Sequence, residues 1–291
     1  MQLVQRYLVV MLATASLLAY VAALQTGAPV DLVVSIASAL TLAVAWLLER
    51  RLPWRADWQR SRGDVATDLA SAGVIVGLAD PLLKALAPMA VVALHAGMGA
   101  WAPTLDLPLW IQIPALLLLV EFGKYWAHRL HHALPPLWWL HAMHHSSERL
   151  YVLNGLRFHP LNHALNFAMA VLPAMALGFS PTAILGYLAI TQPIVLLQHA
   201  NIDLRHGWLN RIISTPEAHR WHHATRPQDA NRNFGNALLL WDHVFGTFRP
   251  AEGFGRATRV GLFEASSTGY PAAAGYLAQL ASMLRPPCCR A

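Results

Sequence analysis

Hydrophobic residues in this chain form long continuous runs that are separated by short polar segments. A helix needs about 20 apolar residues to cross the core of a bilayer. Four runs are long enough to be candidates: 7–24, 30–48, 65–93 and 107–127. Two shorter runs, 164–178 and 182–198, are joined by a tight turn and contain Pro173 and Pro193. The pattern predicts an all-α polytopic membrane bundle of about four spanning helices, plus a hairpin that enters the membrane.

The composition supports the same class of protein. Of the 291 residues, 56% are hydrophobic and only 12% are charged, with a mean hydropathy of +0.39, whereas a soluble domain is about 25% charged. This argues against a soluble enzyme and against a disordered chain. The net charge of +6 does not indicate a nucleic-acid partner, because the basic residues are dispersed between apolar runs. The adjacent Cys288 and Cys289 exclude a disulfide framework and a cysteine-based zinc site.

Arginine distribution predicts the orientation of the bundle. Segment 49–64 contains five arginines, whereas the connections 25–29, 94–106 and 179–181 contain neither Lys nor Arg. By the positive-inside rule the arginine-rich side is cytoplasmic, and alternation along the chain places everything after Gln198 on that side. The first run has no convincing cleavage site and is read as a retained helix. We therefore expect an integral protein of a bacterial inner membrane.

Histidines are concentrated in one third of the chain and occur at helical spacings. Thirteen of the 15 lie between His128 and His223. Spacings of three and four residues place side chains on one face of a helix. Three groups have these spacings: His128 and His132; His141, His144 and His145; His219, His222 and His223. We expect these eight imidazoles to converge in a cytosolic helical cap.

Eight neutral nitrogens without thiolates suit a first-row metal such as iron or zinc, and suit magnesium or calcium poorly. The number is too large for one tetrahedral site but is right for two metal ions, with positions left open for oxygen or water. Two other classes remain as alternatives. A histidine-rich metal transporter would need ligands inside its spans, and a bis-histidine haem protein would need only paired histidines.

Several segments resemble the fatty acid hydroxylase superfamily, which includes sterol desaturases, sterol methyl oxidases and alkylglycerol monooxygenase. The matching stretches are Glu-Phe-Gly-Lys-Tyr-Trp-Ala-His-Arg-Leu-His-His at 121–132, Leu-Trp-Trp-Leu-His-Ala-Met-His-His-Ser-Ser-Glu at 137–148, Thr-Pro-Glu-Ala-His-Arg-Trp-His-His at 215–223, and the segments 233–236 and 241–247. The resemblance covers roughly 115–250. It implies a non-haem oxidoreductase with two iron ions that uses O2 and electrons to hydroxylate or desaturate a lipid, such as a fatty acid, a sterol or an ether lipid.

The resemblance also implies further site residues and a partner. His199 is expected to complete the metal ligands, and His159 is a candidate for ligation or for support of a ligand. Glu121 and Asn201 are candidates for holding ligands in place, although Glu121 could instead form an ion pair with Lys124. The chain has no haem domain, flavin motif or iron–sulfur cysteines, so electrons are expected from a separate ferredoxin or small haem protein.

The remaining expectations concern the division of the chain into domains and the residues near the histidine groups. Residues 1–106 are expected to form transmembrane helices, 107–250 the catalytic domain, and 251–291 a C-terminal tail. His131 lies on a different face from His132, which favours a local hydrogen bond over metal binding. Asn162 stands where the family commonly has an acidic residue. Asp68 and Asp242 are candidate acceptors for imidazole N–H groups.

Overall fold

The computed structural model describes residues 2–97 and 103–284, and this part of the chain is helical, with isolated bridges but no β-strand. Its thirteen α-helices are α1 Gln2–Thr26, α2 Val30–Arg51, α3 Val65–Val74, α4 Asp80–Gly97, α5 Leu109–Ala133, α6 Pro135–His145, α7 Pro160–Ala176, α8 Pro181–Leu197, α9 Pro216–His222, α10 Pro227–Ala230, α11 Leu240–Val244, α12 Glu264–Ser267 and α13 Tyr276–Ala281. A π-helical turn, Ile75–Ala79, joins α3 to α4. Cys288 and Cys289 lie outside the described residues.

Three helical segments are long and apolar enough to cross a membrane: Gln2–Thr26, Val30–Arg51 and Val65–Gly97. The fourth expected span falls on α5, which does not reach this standard; it contains Glu121 and Lys124 and continues into the histidine region. The expected hairpin is present as α7 and α8, with Pro173 and Pro193 inside the helices. The all-helical membrane bundle is thus confirmed as an architecture, with three candidate spans by this measure.

Local sequence signals define where the helices around the cap begin. Helices α6 to α9 each start with proline, whose fixed φ suits the first turn and which has no N–H left without a partner there. Ser180 caps α8 by accepting a hydrogen bond from the Ala183 N–H at 3.1 Å. Thr215 caps α9 in the same way. These signals fix the first residue of the short helix that carries the last histidine group.

Two apolar cores hold the long helices together. In one, α1 and α2 pack against α8 through buried side chains such as Leu8, Ala45 and Leu197. In the other, α5 packs against α7 and α8 around Leu116 and Tyr187. Because α5 and α8 both lead into the histidine region, these cores set the positions from which its side chains project.

The arginine-rich segment and the histidines lie at the same end of the bundle. Asn201, two residues after His199, accepts a hydrogen bond from the Arg55 N–H at 2.9 Å, and its backbone carbonyl accepts one from the Trp54 N–H at 3.2 Å. The described part of the expected C-terminal tail also packs on this end, where Phe263 stacks on Trp138 at 4.4 Å between ring centroids. Helices and loops together form a cap over one end of the bundle.

Candidate metal centre

Nine histidines of the cap form two adjacent groups rather than one cluster of eight. Site A comprises His128, His132, His141, His145 and His222; site B comprises His144, His199, His219 and His223. Within each site one ring nitrogen per histidine lies within 4.8 Å of the others. All nine side chains except the half-buried His128 are buried. The eight histidines singled out by spacing are all included, and His199 is the ninth.

The two sites are interleaved, because α6 and α9 each contribute to both. Helix α6 gives the i,i+4 pair His141 and His145 to site A and the intervening His144 to site B. Helix α9 and the residue that follows it show the opposite pattern. Their i,i+4 pair, His219 and His223, belongs to site B, and the intervening His222 belongs to site A. Because a helix turns by about 100° per residue, the i,i+4 pair stays close to one direction, whereas His144 projects about 60° from His141 and about 100° from His145. The sites therefore lie on either side of the contact between these helices.

Backbone carbonyls fix the protonation of three rings. The Nδ1–H groups of these rings donate to carbonyl oxygens, His128 to Phe234 at 2.9 Å, His144 to Arg157 at 3.2 Å and His222 to Arg232 at 3.1 Å. Since a carbonyl can only accept, each Nδ1 carries the proton. The Nε2 lone pair of each ring then faces the site, which is the tautomer that a metal ligand needs.

Asparagine side chains fix the position of the imidazole proton in three other rings. Their Nδ1–H groups donate to side-chain Oδ1 atoms, His132 to Asn231 at 3.0 Å, His141 to Asn162 at 2.9 Å and His199 to Asn154 at 2.8 Å. The role of Asn154 and Asn231 was not anticipated. Asn154 lies in the short 3₁₀ helix Val152–Leu156 and Asn231 directly follows α10, and their approach to a ring depends on the tertiary fold.

The nitrogen atoms that face inward fit bound metal ions. In both sites the Nε2 atoms of neighbouring histidines approach to 3.1 or 3.2 Å, in the pairs His128–His141, His145–His222, His199–His219 and His219–His223. Two imidazole nitrogens at about 2.0–2.1 Å from one metal ion stand at a similar separation. In addition, Nε2 of His132 is buried without a hydrogen-bond partner. Lone pairs held this close repel one another unless a cation lies between them.

The surroundings keep the rings neutral. Burial lowers the pKa of His199 to about 3, and burial together with the neighbouring imidazoles lowers the pKa of His145 and His223 well below the ordinary value. Aromatic rings enclose the centre, with Phe158 stacked on His144 at 4.4 Å. Unprotonated rings in a water-poor enclosure are the state in which histidine binds metals.

Comparisons with known proteins agree with this geometry. A family model described as fatty acid hydroxylase matches residues 113–247, a range that holds all nine histidines. Ornithine lipid hydroxylase OlsE of Rhizobium tropici is 37% identical over 254 residues, covering 83% of this chain and 72% of that protein. The chain belongs to the fatty acid hydroxylase family.

Other relatives of this chain match over shorter shares of their length. Human alkylglycerol monooxygenase is 29% identical over 209 residues, which cover 72% of this chain but 44% of the human protein. A Delta(7)-sterol-C5(6)-desaturase of Nicotiana tabacum is 35% identical over 138 residues, 46% of this chain and 48% of the other. No solved structure gave a significant match. The resemblance noted from the histidine segments is confirmed, and the chain is an oxidoreductase.

Glu121 and Asn201, which were expected to hold metal ligands in place, contact other groups. Glu121 accepts hydrogen bonds from the Tyr187 hydroxyl at 2.7 Å and from the backbone N–H groups of Ala237 at 2.7 Å and Leu238 at 2.9 Å. It therefore ties α5 to α8 and to the loop after Phe234, and it contacts neither a histidine nor Lys124. Asn201 holds the backbone of Arg55, as described above, and contacts no ligand histidine.

Three further candidates also have structural partners. His159 caps α7, its Nδ1 accepting from the Leu161 N–H at 3.1 Å, and it belongs to neither site. Asp68 forms a buried ion pair with Arg157, and Asp242 accepts from the Phe234 N–H at 2.8 Å. None of the three contacts a ligand ring, because each already satisfies a backbone group or an arginine. Asp68 holds Arg157, whose carbonyl oxygen accepts from His144. Asp242 holds Phe234, whose carbonyl oxygen accepts from His128.

Proposed function

We propose that this protein is an integral-membrane di-iron oxygenase that uses O2 and externally supplied electrons to hydroxylate a lipid. The observation that carries the proposal is the convergence of nine neutral imidazoles, eight of them buried, into sites of five and four nitrogens. Neutral imidazole nitrogens suit iron as well as copper and zinc, and membership of the fatty acid hydroxylase family favours iron among them. A bound iron pair would supply the activation of O2 for attack on a carbon–hydrogen bond.

The protein's own residues bind and orient this centre and exclude water from it. The imidazoles of sites A and B hold the two metal ions. The carbonyls of Phe234, Arg157 and Arg232 and the three asparagine side chains fix the ring orientations. Rings such as Phe158 and Phe263 close the surroundings to bulk solvent. A dry and rigid enclosure favours oxidation of the lipid over unproductive release of reactive oxygen species.

The two alternative classes fit this arrangement less well. A haem takes one axial nitrogen on each face, so converging sets of five and four imidazoles exceed its needs. A transporter requires ligands along its spans, whereas these histidines occupy the cap. Deep burial of all but one ring also suits a resident metal better than one that passes through.

A polar membrane lipid is the substrate class that we propose, and hydroxylation is the reaction. The two relatives that cover most of this chain are named as a hydroxylase of ornithine lipid and a monooxygenase of alkylglycerol. An apolar cleft of about 630 Å³ between α3 and α13, lined by Ala70, Val74 and Leu280, offers a path for an acyl chain. Its wall residue Tyr276 lies within 3.5 Å of the carbonyl oxygen of Phe158, the residue that stacks on His144.

The proposal includes the cell compartment and the electron source. The arginine-rich segment packs against the histidine cap, which favours a cytoplasmic cap in a bacterial inner membrane. Electrons would come from a ferredoxin or a small haem protein. The domain division into 1–106, 107–250 and 251–291 remains a proposal, with the catalytic function assigned to the middle part.

The test combines metal analysis with lipid analysis. Protein purified in detergent should contain about two irons per chain and no Soret band. Membrane lipids of cells that express it should gain one oxygen atom from isotopically labelled O2. His144→Ala and His222→Ala should abolish this gain. His243→Ala is the control, because His243 is exposed and belongs to neither site; its ring contacts the Arg211 carbonyl oxygen at 2.7 Å and stacks on Phe248. Full activity of either site variant, or a haem spectrum, would refute the proposal.

A further inference from the structure

We infer that His131, which belongs to neither site, determines through Asn162 which nitrogen of His141 is free to bind metal. His131 is therefore a positioning residue of site A. The inference rests on the proposed metal centre. It adds a residue whose side chain is 0% exposed and whose ring is a member of neither site.

The chain of hydrogen bonds begins at a backbone carbonyl. Nδ1 of His131 lies 2.6 Å from the carbonyl oxygen of Ala127, one turn earlier in α5. A carbonyl can only accept, so Nδ1 is the donor. No carboxylate contacts this buried ring among the described residues, and a buried imidazole without an anionic partner stays neutral. Nε2 of His131 consequently carries a lone pair and must act as an acceptor.

The acceptor on His131 fixes the orientation of the Asn162 amide. Nδ2 of Asn162 lies 3.0 Å from Nε2 of His131 and donates to it. The amide oxygen therefore faces the other way, 2.9 Å from Nδ1 of His141. An oxygen requires a proton on that Nδ1, so Nε2 of His141 is left unprotonated. This Nε2 stands 3.1 Å from Nε2 of His128 inside site A.

Asn162 depends on its histidine partner more than Asn154 does. The Asn154 amide is fixed by backbone groups, because its Nδ2 donates to the Arg149 carbonyl oxygen at 2.6 Å and its Oδ1 accepts from the Tyr151 N–H at 3.2 Å. In the described part of the chain the Asn162 amide bonds only His131 and His141. Without His131 the amide can rotate and present N–H to His141. That reversal moves the imidazole proton of His141 to Nε2, where it blocks metal binding.

The test replaces the acceptor with a ring of similar size. His131→Phe should lower the affinity for one of the two metal ions by about 10- to 100-fold, the usual effect of losing a partner that orients a ligand. Iron per chain should fall from two toward one, and a chelator should remove the weakened ion faster. Both readouts are independent of turnover. The second ion reports on folding, because site B does not contain His141.

A double variant separates orientation from packing. Asn162→Asp in the His131→Phe background provides a side chain that can only accept, so it should restore the second iron. Two irons with wild-type release in His131→Phe would overturn the inference. So would iron loss that Asn162→Asp does not restore, because His131 would then act only by packing. A wild-type protein that binds no metal would instead overturn the proposed function, and this inference with it.

Discussion

The close approach of α5 to α7 provides a sensitive test of how the bundle positions site A. At Gly123, five residues before His128, an added Cβ would lie 2.7 Å from Cα of Ala170 and closer still to the carbonyl oxygen of Met169. Ordinary contact begins at 3.4 Å, so the helices must separate by at least about 0.7 Å (3.4 minus 2.7). Neither obstacle is a flexible side chain. Gly123→Ala should therefore destabilise the fold by about 1–3 kcal/mol or more.

The displacement should also affect the metal. A shift of this size at the base of the histidine segment moves His128 relative to its partners on α6 and α9, and misplacement by about 1 Å can cost 100-fold in rate. We expect a lower thermal midpoint in detergent, partial loss of iron and reduced lipid hydroxylation. Gly77→Ala is the control, because nothing lies within 4 Å of its Cβ position. If Gly123→Ala matched the control in all three assays, the helix contact would not position the site.

Three further outcomes follow from the electrostatics and from the metal. Asp68→Ala should destabilise the protein by about 3–5 kcal/mol, because it leaves the buried Arg157 guanidinium without its counter-ion; thermal unfolding compared with an exposed-site variant measures this. Burial raises the pKa of Asp64, but hydrogen bonds and charge from Arg149 outweigh it and hold the pKa below its ordinary value. The stability that this ion pair contributes is present above the unfolded carboxyl pKa of about 3.9 and is lost as pH falls through the lower folded pKa. Asp64→Asn should therefore have a lower thermal midpoint than wild type at pH 7 and the same midpoint in strong acid. Removing iron with a chelator should lower the thermal midpoint, and ferrous iron should restore it; an unchanged midpoint would argue against a metal that stabilises the cap.

The long helices and the ligand histidines could be predicted because each depends on short-range periodicity. Apolar runs define α1 and α2 to within a few residues, since a membrane helix requires a continuous apolar stretch. The i,i+3 and i,i+4 spacings around His144 and His222 identified histidines that share a helical segment and that the structure brings together. The division into two sites was not predicted. It depends on how α6 and α9 face each other, and no spacing within either helix contains that information.

Residues that support the ligands were predicted poorly, because their partners are distant in sequence. Glu121 shares a helical face with His128, which suggested contact, yet its carboxylate turns to Tyr187 and to backbone N–H groups of the loop 236–238. The acceptors for Nδ1–H are backbone carbonyls and asparagine side chains such as those of Asn154 and Asn231, which are distant in sequence from the rings that they hold. A carbonyl acceptor has no sequence signature at all.

The interleaving of the sites has a consequence for how the protein acquires its metal. Each ion, once bound, would be a cross-link between the same two short helices, α6 and α9, which are far apart in sequence. The first ion would bear the entropy cost of closing the loop between them, and the second would enter a site that is already assembled. Uptake by the wild-type protein should therefore be cooperative, whereas a variant with one weakened site should still hold the ion of the other site. An ion of the wrong kind in either site would alter the ligand spacing of the other.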